Sequence, residues 1–282
     1  MGRRAPGLPA EFSTFSPREP REPSAALEKP VKLESLLQYV DEYLCVPHHP
    51  DYRTALNGLQ VAGGEDVGRI VAAVDASEAV IEEAAAAGAD LLLVHHGIFW
   101  DGLQPLTGRR YRKVKTLLDH DMALYSVHLP LDGHAEVGNS ALLARAMGMD
   151  ELTAFGDYEG VKIGWAGLLA DRTSREGIKD ALGEILGGPV HLIAGGPEVI
   201  ERVAVVTGGG ASFTEQAAGA GLDALVTGEG SHHTHIDAME LGINVYFGGH
   251  YATETFGVKA LASHLAERFD LEWAFIDQPT GL

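Results

Sequence analysis

The sequence predicts an α/β protein made of two homologous repeats with mixed, mostly parallel sheets. Three observations carry this. Short apolar, β-branched runs alternate with Ala-rich stretches of helical spacing, the pattern of βαβ units around a buried sheet. The chain repeats itself at a fixed offset. Ionisable residues that apolar strands do not need stand at the carboxyl ends of three predicted strands, where open α/β sheets bind ligands.

The elements follow in order. Leu33, Leu36, Leu37, Val40 and Leu44 recur at helical spacing and predict a first amphipathic helix. Strands are expected over 69–74, 91–94, 122–127, 202–206, 224–226 and 243–247. Helices are expected over 78–87, 113–120, 139–147, 176–186, 213–220, 232–241 and 253–268. At an offset of 133, Arg69 answers Arg202, Gly88 answers Gly221, Asp90 answers Asp223 and Gly97 answers Gly230. One βα unit later the offset falls to 122, where His128-Leu-Pro-Leu-Asp132 answers His250-Tyr-Ala-Thr-Glu254. Matched charged and glycine positions are stronger evidence than matched apolar ones, and they divide the chain into repeats over 31–150 and 151–282. Residues 1–30 hold six prolines and no apolar period. They read as a disordered extension, or as the product of a start codon placed too early.

Composition removes several function classes. Lys+Arg is 21 against 40 for Asp+Glu, a formal charge of −19. That argues against a nucleic-acid binder, which needs a basic face, and against docking on anionic lipid. The single cysteine, Cys45, cannot build a disulfide framework or a Cys-rich zinc site, and it reads as a small hydrophobe. Any transition metal must therefore sit on His, Asp or Glu, which favours zinc, iron or manganese. No apolar run approaches the ~20 residues of a membrane-spanning helix. Arg3 and Arg4 are not followed by an apolar segment, so the cytoplasm is the expected location. No GxGxxG, GxxxxGK[ST] or GxSxG motif is present.

The strand-end residues define the chemistry. His95-His96-Gly97 closes one strand. His128-x-x-x-Asp132 follows the next, and Gly249-His250-x-x-x-Glu254 follows the corresponding strand of the second repeat. Spacing of i, i+4 sets imidazole and carboxylate on one face of a helical turn. His95, His96, Asp132, His250 and Glu254 thus supply three imidazoles and two carboxylates. One ion takes three or four such ligands, whereas five with bridging carboxylates suit two ions about 3.5–4 Å apart, held in the cleft between the repeats. Glu229, beside a strand end, is expected either as a general base or as the group that orients a ligand histidine. His128 is expected to bind metal, to support a ligand or to carry a proton. His232, His233 and His235 read as largely exposed, with His233 the one closest to the site. Gly208-Gly209-Gly210 reads as a tight turn ahead of an anion cradle. Arg109, Arg110, Arg112, Lys113 and Lys115 form the one dense basic cluster, a candidate rim for an anionic substrate.

Over 31–282 the sequence resembles the Nif-three-like family, also called GTP cyclohydrolase I type 2, in its short form without an inserted third domain. The matching motifs are Asn57-Gly-Leu-Gln60, His95-His96-Gly97, His128-Leu-Pro-Leu-Asp132 with Gly138-Asn139, Thr207-Gly-Gly-Gly210, Thr227-Gly-Glu229 and Gly249-His250-x-x-x-Glu254. The resemblance implies interlinked repeats, a dinuclear centre on the same five residues and a toroidal homohexamer. It also implies ring-opening hydrolysis of GTP, with water attacking purine C8 and His128 or Glu229 moving the proton. The competing expectation is a metal-handling or regulatory interaction protein whose ions are cargo or structural.

Overall fold

The computed structural model describes residues 30–282; the proline-rich segment lies outside the described residues except for Pro30. The elements run β1 (Val31–Lys32), α1 (Leu33–Tyr43), β2 (Gly58–Val61), β3 (Asp66–Val67), β4 (Arg69–Asp75), α2 (Glu78–Ala86), β5 (Leu91–His96), α3 (Gly108–Asp119), β6 (Ala123–Ser126) and a one-turn α4 (Leu129–Asp132). There follow α5 (Asn139–Ala146), β7 (Met149–Tyr158), β8 (Val161–Ser174), α6 (Arg175–Leu186), β9 (His191–Ala194), β10 (Val199–Val205), α7 (Thr214–Gly219), β11 (Ala224–Thr227), α8 (His232–Leu241), β12 (Asn244–Phe247), α9 (His250–Thr253), α10 (Thr255–Phe269) and β13 (Glu272–Phe275). No described helix is long and apolar enough to cross a membrane.

The mixed α/β architecture is as the sequence predicts. The described chain forms two compact units. An N-terminal unit comprises 30–130 with Val258–Gln278, and a central unit comprises Leu131–Gly257 with Pro279–Leu282. The N-terminal unit holds a five-stranded sheet in the order β13-β4-β5-β6-β2, parallel except at the β2 edge. The stretches Ile70–Val74 of β4 and Leu91–Val94 of β5 are apolar and buried, as both faces of a covered sheet require. Val71, Ala73, Leu92, Val94 and Leu124 pack there with Val80, Ile81 and Leu117. Helix α2 starts where Ser77 accepts the Val80 N–H at 3.1 Å, an N-cap.

The central unit holds a six-stranded sheet in the order β7-β8-β10-β11-β12-β9, with only β10-β11-β12 parallel. The antiparallel pairs come from β7, β8 and β9, which apolar period did not reveal. The cause is visible in β7, where half of the residues are exposed and the buried ones do not alternate with them. Its hairpin turn uses Glu159 at φ 49° and Gly160 at φ 90°. Both values are positive, as a type I′ turn demands, but the residues are not the usual Asn-Gly or Asp-Gly.

The repeated glycine and aspartate positions have one structural purpose in both units. Gly88 and Gly221 take φ of 69° and 70° just after a helix, which returns the chain toward the sheet. Two residues on, Asp90 accepts the N–H groups of Gly68 and Arg69 at 2.8 and 2.9 Å through one oxygen. Asp223 does the same for Glu201 and Arg202, at 3.1 and 2.8 Å. Each carboxylate thus ties the start of β4 or the middle of β10 in register with the next strand. Asp90→Ala leaves two donors unmet and should cost about 2–3 kcal/mol in urea unfolding, with Asp90→Asn losing less; an unchanged urea midpoint in Asp90→Ala would contradict this role.

Candidate metal centre

The parallel register brings chemistry to the strand ends. In the N-terminal unit, Asp75 pairs with His96 across β4 and β5, and the Ala76 N–H bonds to the His96 carbonyl at 2.9 Å. His95 is fully buried. Its Nδ1 lies 2.9 Å from the Val127 carbonyl. A carbonyl only accepts, so Nδ1 carries the hydrogen and the lone pair of the ring is on Nε2. His96 Nδ1 lies 2.9 Å from Asp75 Oδ1, and His128 Nδ1 lies 2.9 Å from Asp51 Oδ1. Each carboxylate fixes the same orientation. One nitrogen from each of His95, His96 and His128 lies within 4.8 Å of the other two, a spacing compatible with one ion.

Asp51 does more than orient His128. Its Oδ2 accepts the Leu129 N–H at 2.9 Å and the Asn57 amide at 2.8 Å, while Asn57 Oδ1 accepts the His128 N–H at 2.8 Å. Burial raises the Asp51 pKa, but the His128 bond and these donors outweigh it and hold the carboxyl below the usual range. The same bonds start α4, and Pro130 fits within its first turn. Gln60 completes the motif: its Oε1 accepts the Ile98 N–H at 2.9 Å, and a side chain at Gly97 would overlap it.

In the central unit, Asp132 is 5% exposed and Glu254 2%. Asp132 Oδ1 accepts from Asn139 Nδ2 at 2.9 Å and Thr207 Oγ1 at 3.1 Å. Asn139 in turn accepts the Gly257 N–H at 2.6 Å, which accounts for the Gly138-Asn139 motif. His250 Nδ1 lies 2.8 Å from Glu229 Oε1, and its Nε2 lies 3.2 Å from Glu254 Oε1. Glu229 therefore sits behind His250, in the orienting place. Gly208, at φ 61°, is required twice over, by its backbone and because a side chain there would overlap Glu254 Oε1. The Gly208 N–H bonds to Thr253 Oγ1 at 3.1 Å, and its carbonyl takes the N–H groups of Gly228 and Glu229 at 2.9 and 3.0 Å. The glycine motifs thus serve close packing beneath the carboxylate, in line with the tight-turn reading.

Four imidazoles therefore turn Nδ1 to an acceptor and present Nε2, the usual arrangement of metal-binding histidines. With buried carboxylates and no thiolate, the residues fit divalent zinc, iron or manganese. Asp51 and Asp75 were not foreseen, although Asp75 is an acid closing an otherwise apolar strand. His232, His233 and His235 are exposed, and the His233 ring bonds to Ser231 Oγ. In the basic cluster, Arg109 and Arg110 pair with Asp101, Arg112 with Glu78 and Lys115 with Asp119, while Lys113 bonds to the Ala76 carbonyl at 2.6 Å.

The fold and these donors define an α/β protein with histidine and carboxylate groups suited to metal. Residues 27–281 match the family model of Duf34/NIF3 (NGG1p interacting factor 3), and the chain belongs to that family. It is 44% identical over 249 residues to the GTP cyclohydrolase 1 type 2 homolog of Deinococcus radiodurans, covering 88% of this chain and 94% of that one. It is 47% identical over 232 residues to the protein of the same name from Halobacterium salinarum, covering 81% and 91%. Among solved structures, TTHA1606 from Thermus thermophilus superposes with a TM-score of 0.82 at 41% identity, covering 89% of this chain and 100% of that one.

Burial alone would lower the His250 pKa, but hydrogen bonds and charge from Glu254 and then Glu229 push it up to about 9. The metal-free protein thus holds an imidazolium here at neutral pH. Its contribution to stability is full below pH 6.5 and is lost as pH rises through 9. An ion bound through His250 would have to displace that proton. Chelator-competition titrations should show metal affinity rising with pH up to about 9 and then levelling. A pH-independent affinity would contradict His250 as a ligand.

Proposed function

We propose that this protein is a metal-dependent hydrolase in which His95, His96, Asp132, His250 and Glu254 together hold two divalent ions. Ring-opening hydrolysis of a purine nucleotide such as GTP is the reaction. The observation that carries this reading is the shared orientation of four imidazoles, each with Nδ1 engaged and Nε2 presented, in a donor set without thiolate. The names of the relatives support the choice of substrate. Ions bound by these residues would supply Lewis acidity and lower the pKa of a water.

The protein's own residues supply the rest. Asp75 and Glu229 hold the rings of His96 and His250 in place. Asn139 and Thr207 fix the Asp132 carboxylate, and Gly208 makes room for Glu254. His128 is the proton carrier: Asp51, a carboxylate held ionised, stabilises the imidazolium that forms when Nε2 accepts a proton. The reading includes a homohexamer in the cytoplasm.

The test is turnover of GTP, followed as formate, by full-length protein loaded with manganese, iron or zinc. His95→Ala and Glu254→Ala should lose bound metal and roughly 100-fold or more in rate. His128→Asn should keep metal and lose about 10²-fold in kcat. Full turnover in His95→Ala contradicts the assignment. Transfer of metal to an acceptor with no turnover would favour a metal-handling protein. Light scattering should give six times the 30.0 kDa chain mass.

A further inference from the structure

The loop after His96-Gly97 and the first turns of α3 enclose a cavity of about 530 Å³ within the N-terminal unit. Its apolar wall is formed by Ile98, Phe99, Trp100, Leu103 and Leu106. Arg109, Arg110 and Lys113 line it as well, against one carboxylate, Asp101. Three cations facing one anion is a local reversal in a chain of net charge −19.

Three features point to a ligand. The Trp100 indole N–H is buried and has no hydrogen-bond partner among the described residues, which leaves a donor in want of an acceptor. Leu103 is fully exposed at 101%, and Leu106 is 57% exposed, so apolar area at the cavity stays in water unless something covers it. Asp101 is shared by two guanidinium groups, Arg109 at 3.0 Å and Arg110, and two forks on one carboxylate leave donors for a second anion. One wall of the cavity, Trp100, also packs on the imidazole cluster: its ring stands edge-on to His96 at 5.6 Å and to His128 at 4.9 Å between centroids.

We infer that the Gly97–Leu106 loop and the start of α3 form the ligand pocket of this site, built for a planar aromatic ring that carries an anionic group. Trp100 meets the ring at its edge and donates the indole N–H to an acceptor there, Leu103 and Leu106 close over the ring face, and Arg109 and Arg110 bind the anion beside Asp101. Lys113, whose ammonium bonds to the Ala76 carbonyl, adds charge at the inner end. The choice of a nucleotide as probe rests on the hydrolase reading.

The experiment is calorimetric titration of the metal-loaded protein with guanosine 5′-monophosphate, with guanosine and ribose 5-phosphate as the partial ligands. The monophosphate should bind at least tenfold tighter than either part. The double change Arg109→Gln/Arg110→Gln should weaken the monophosphate about tenfold and leave guanosine unchanged. Asp101→Asn, which releases both guanidinium groups, should tighten the monophosphate several-fold. Trp100→Phe should weaken guanosine and the monophosphate alike, and Leu103→Asp should weaken the monophosphate most. All variants should retain wild-type metal content. No binding of the monophosphate, or binding that these changes leave untouched, overturns the pocket. GTP turnover unaffected by the variants overturns the pocket and keeps the hydrolase reading. The expected binding pattern in a protein that never turns over keeps the pocket and overturns that reading.

Discussion

A neutral imidazole has one nitrogen that donates and one that can bind a metal, and the fold must choose between them. Here the choice is made by an acceptor on Nδ1. The Val127 carbonyl does this for His95, Asp75 for His96, Asp51 for His128 and Glu229 for His250. Without these acceptors the rings would rotate and exchange tautomers, and Nε2 would have no fixed direction. Three of the four acceptors are carboxylates, which also make each ring more basic and a better ligand.

The sheets place three of those acceptors, Asp75, the Val127 carbonyl and Glu229, at or just after strand ends. Parallel strands end together, so the residues after β4, β5 and β6 gather at one rim, as do those after β10, β11 and β12. Register is kept at the opposite ends by Asp90 and Asp223, each bound to two backbone N–H groups of the neighbouring strand. At the rim, backbone must approach side chain closely. Gly97 lies against Gln60, and Gly208 against Glu254, where any side chain would collide. A methyl group at either position would move a motif residue and, with it, a candidate ligand.

Much of this was legible in the sequence because it is periodic or because it is chemically out of place. Every helix and strand predicted from apolar period appears, with ends shifted by a few residues. Histidines and acids following apolar strands stood out for the same reason. What escaped notice had no such contrast. The β7–β8 hairpin is polar on its exposed positions and turns on Glu159-Gly160, so neither period nor turn chemistry marked it. Strand β13 lies at the far end of the chain from its partner β4, a pairing no local pattern can reveal. Asp51 sits in a loop between Pro50 and Tyr52, and its bonds to His128 and Leu129 span more than 70 residues. The basic cluster was recognised by composition, but its pairing with Asp101, Glu78 and Asp119 required the fold.

With Nδ1 of His95, His96 and His250 already engaged, a metal held by these rings must meet Nε2. Anomalous diffraction from crystals grown with manganese or zinc tests it most directly. Two metal peaks are expected, with bonds to Nε2 of His95, His96 and His250 and to the carboxylates of Asp132 and Glu254, while the Nδ1 bonds to Val127, Asp75 and Glu229 stay in place. A metal bonded through Nδ1, or peaks confined to residues other than these, would contradict it.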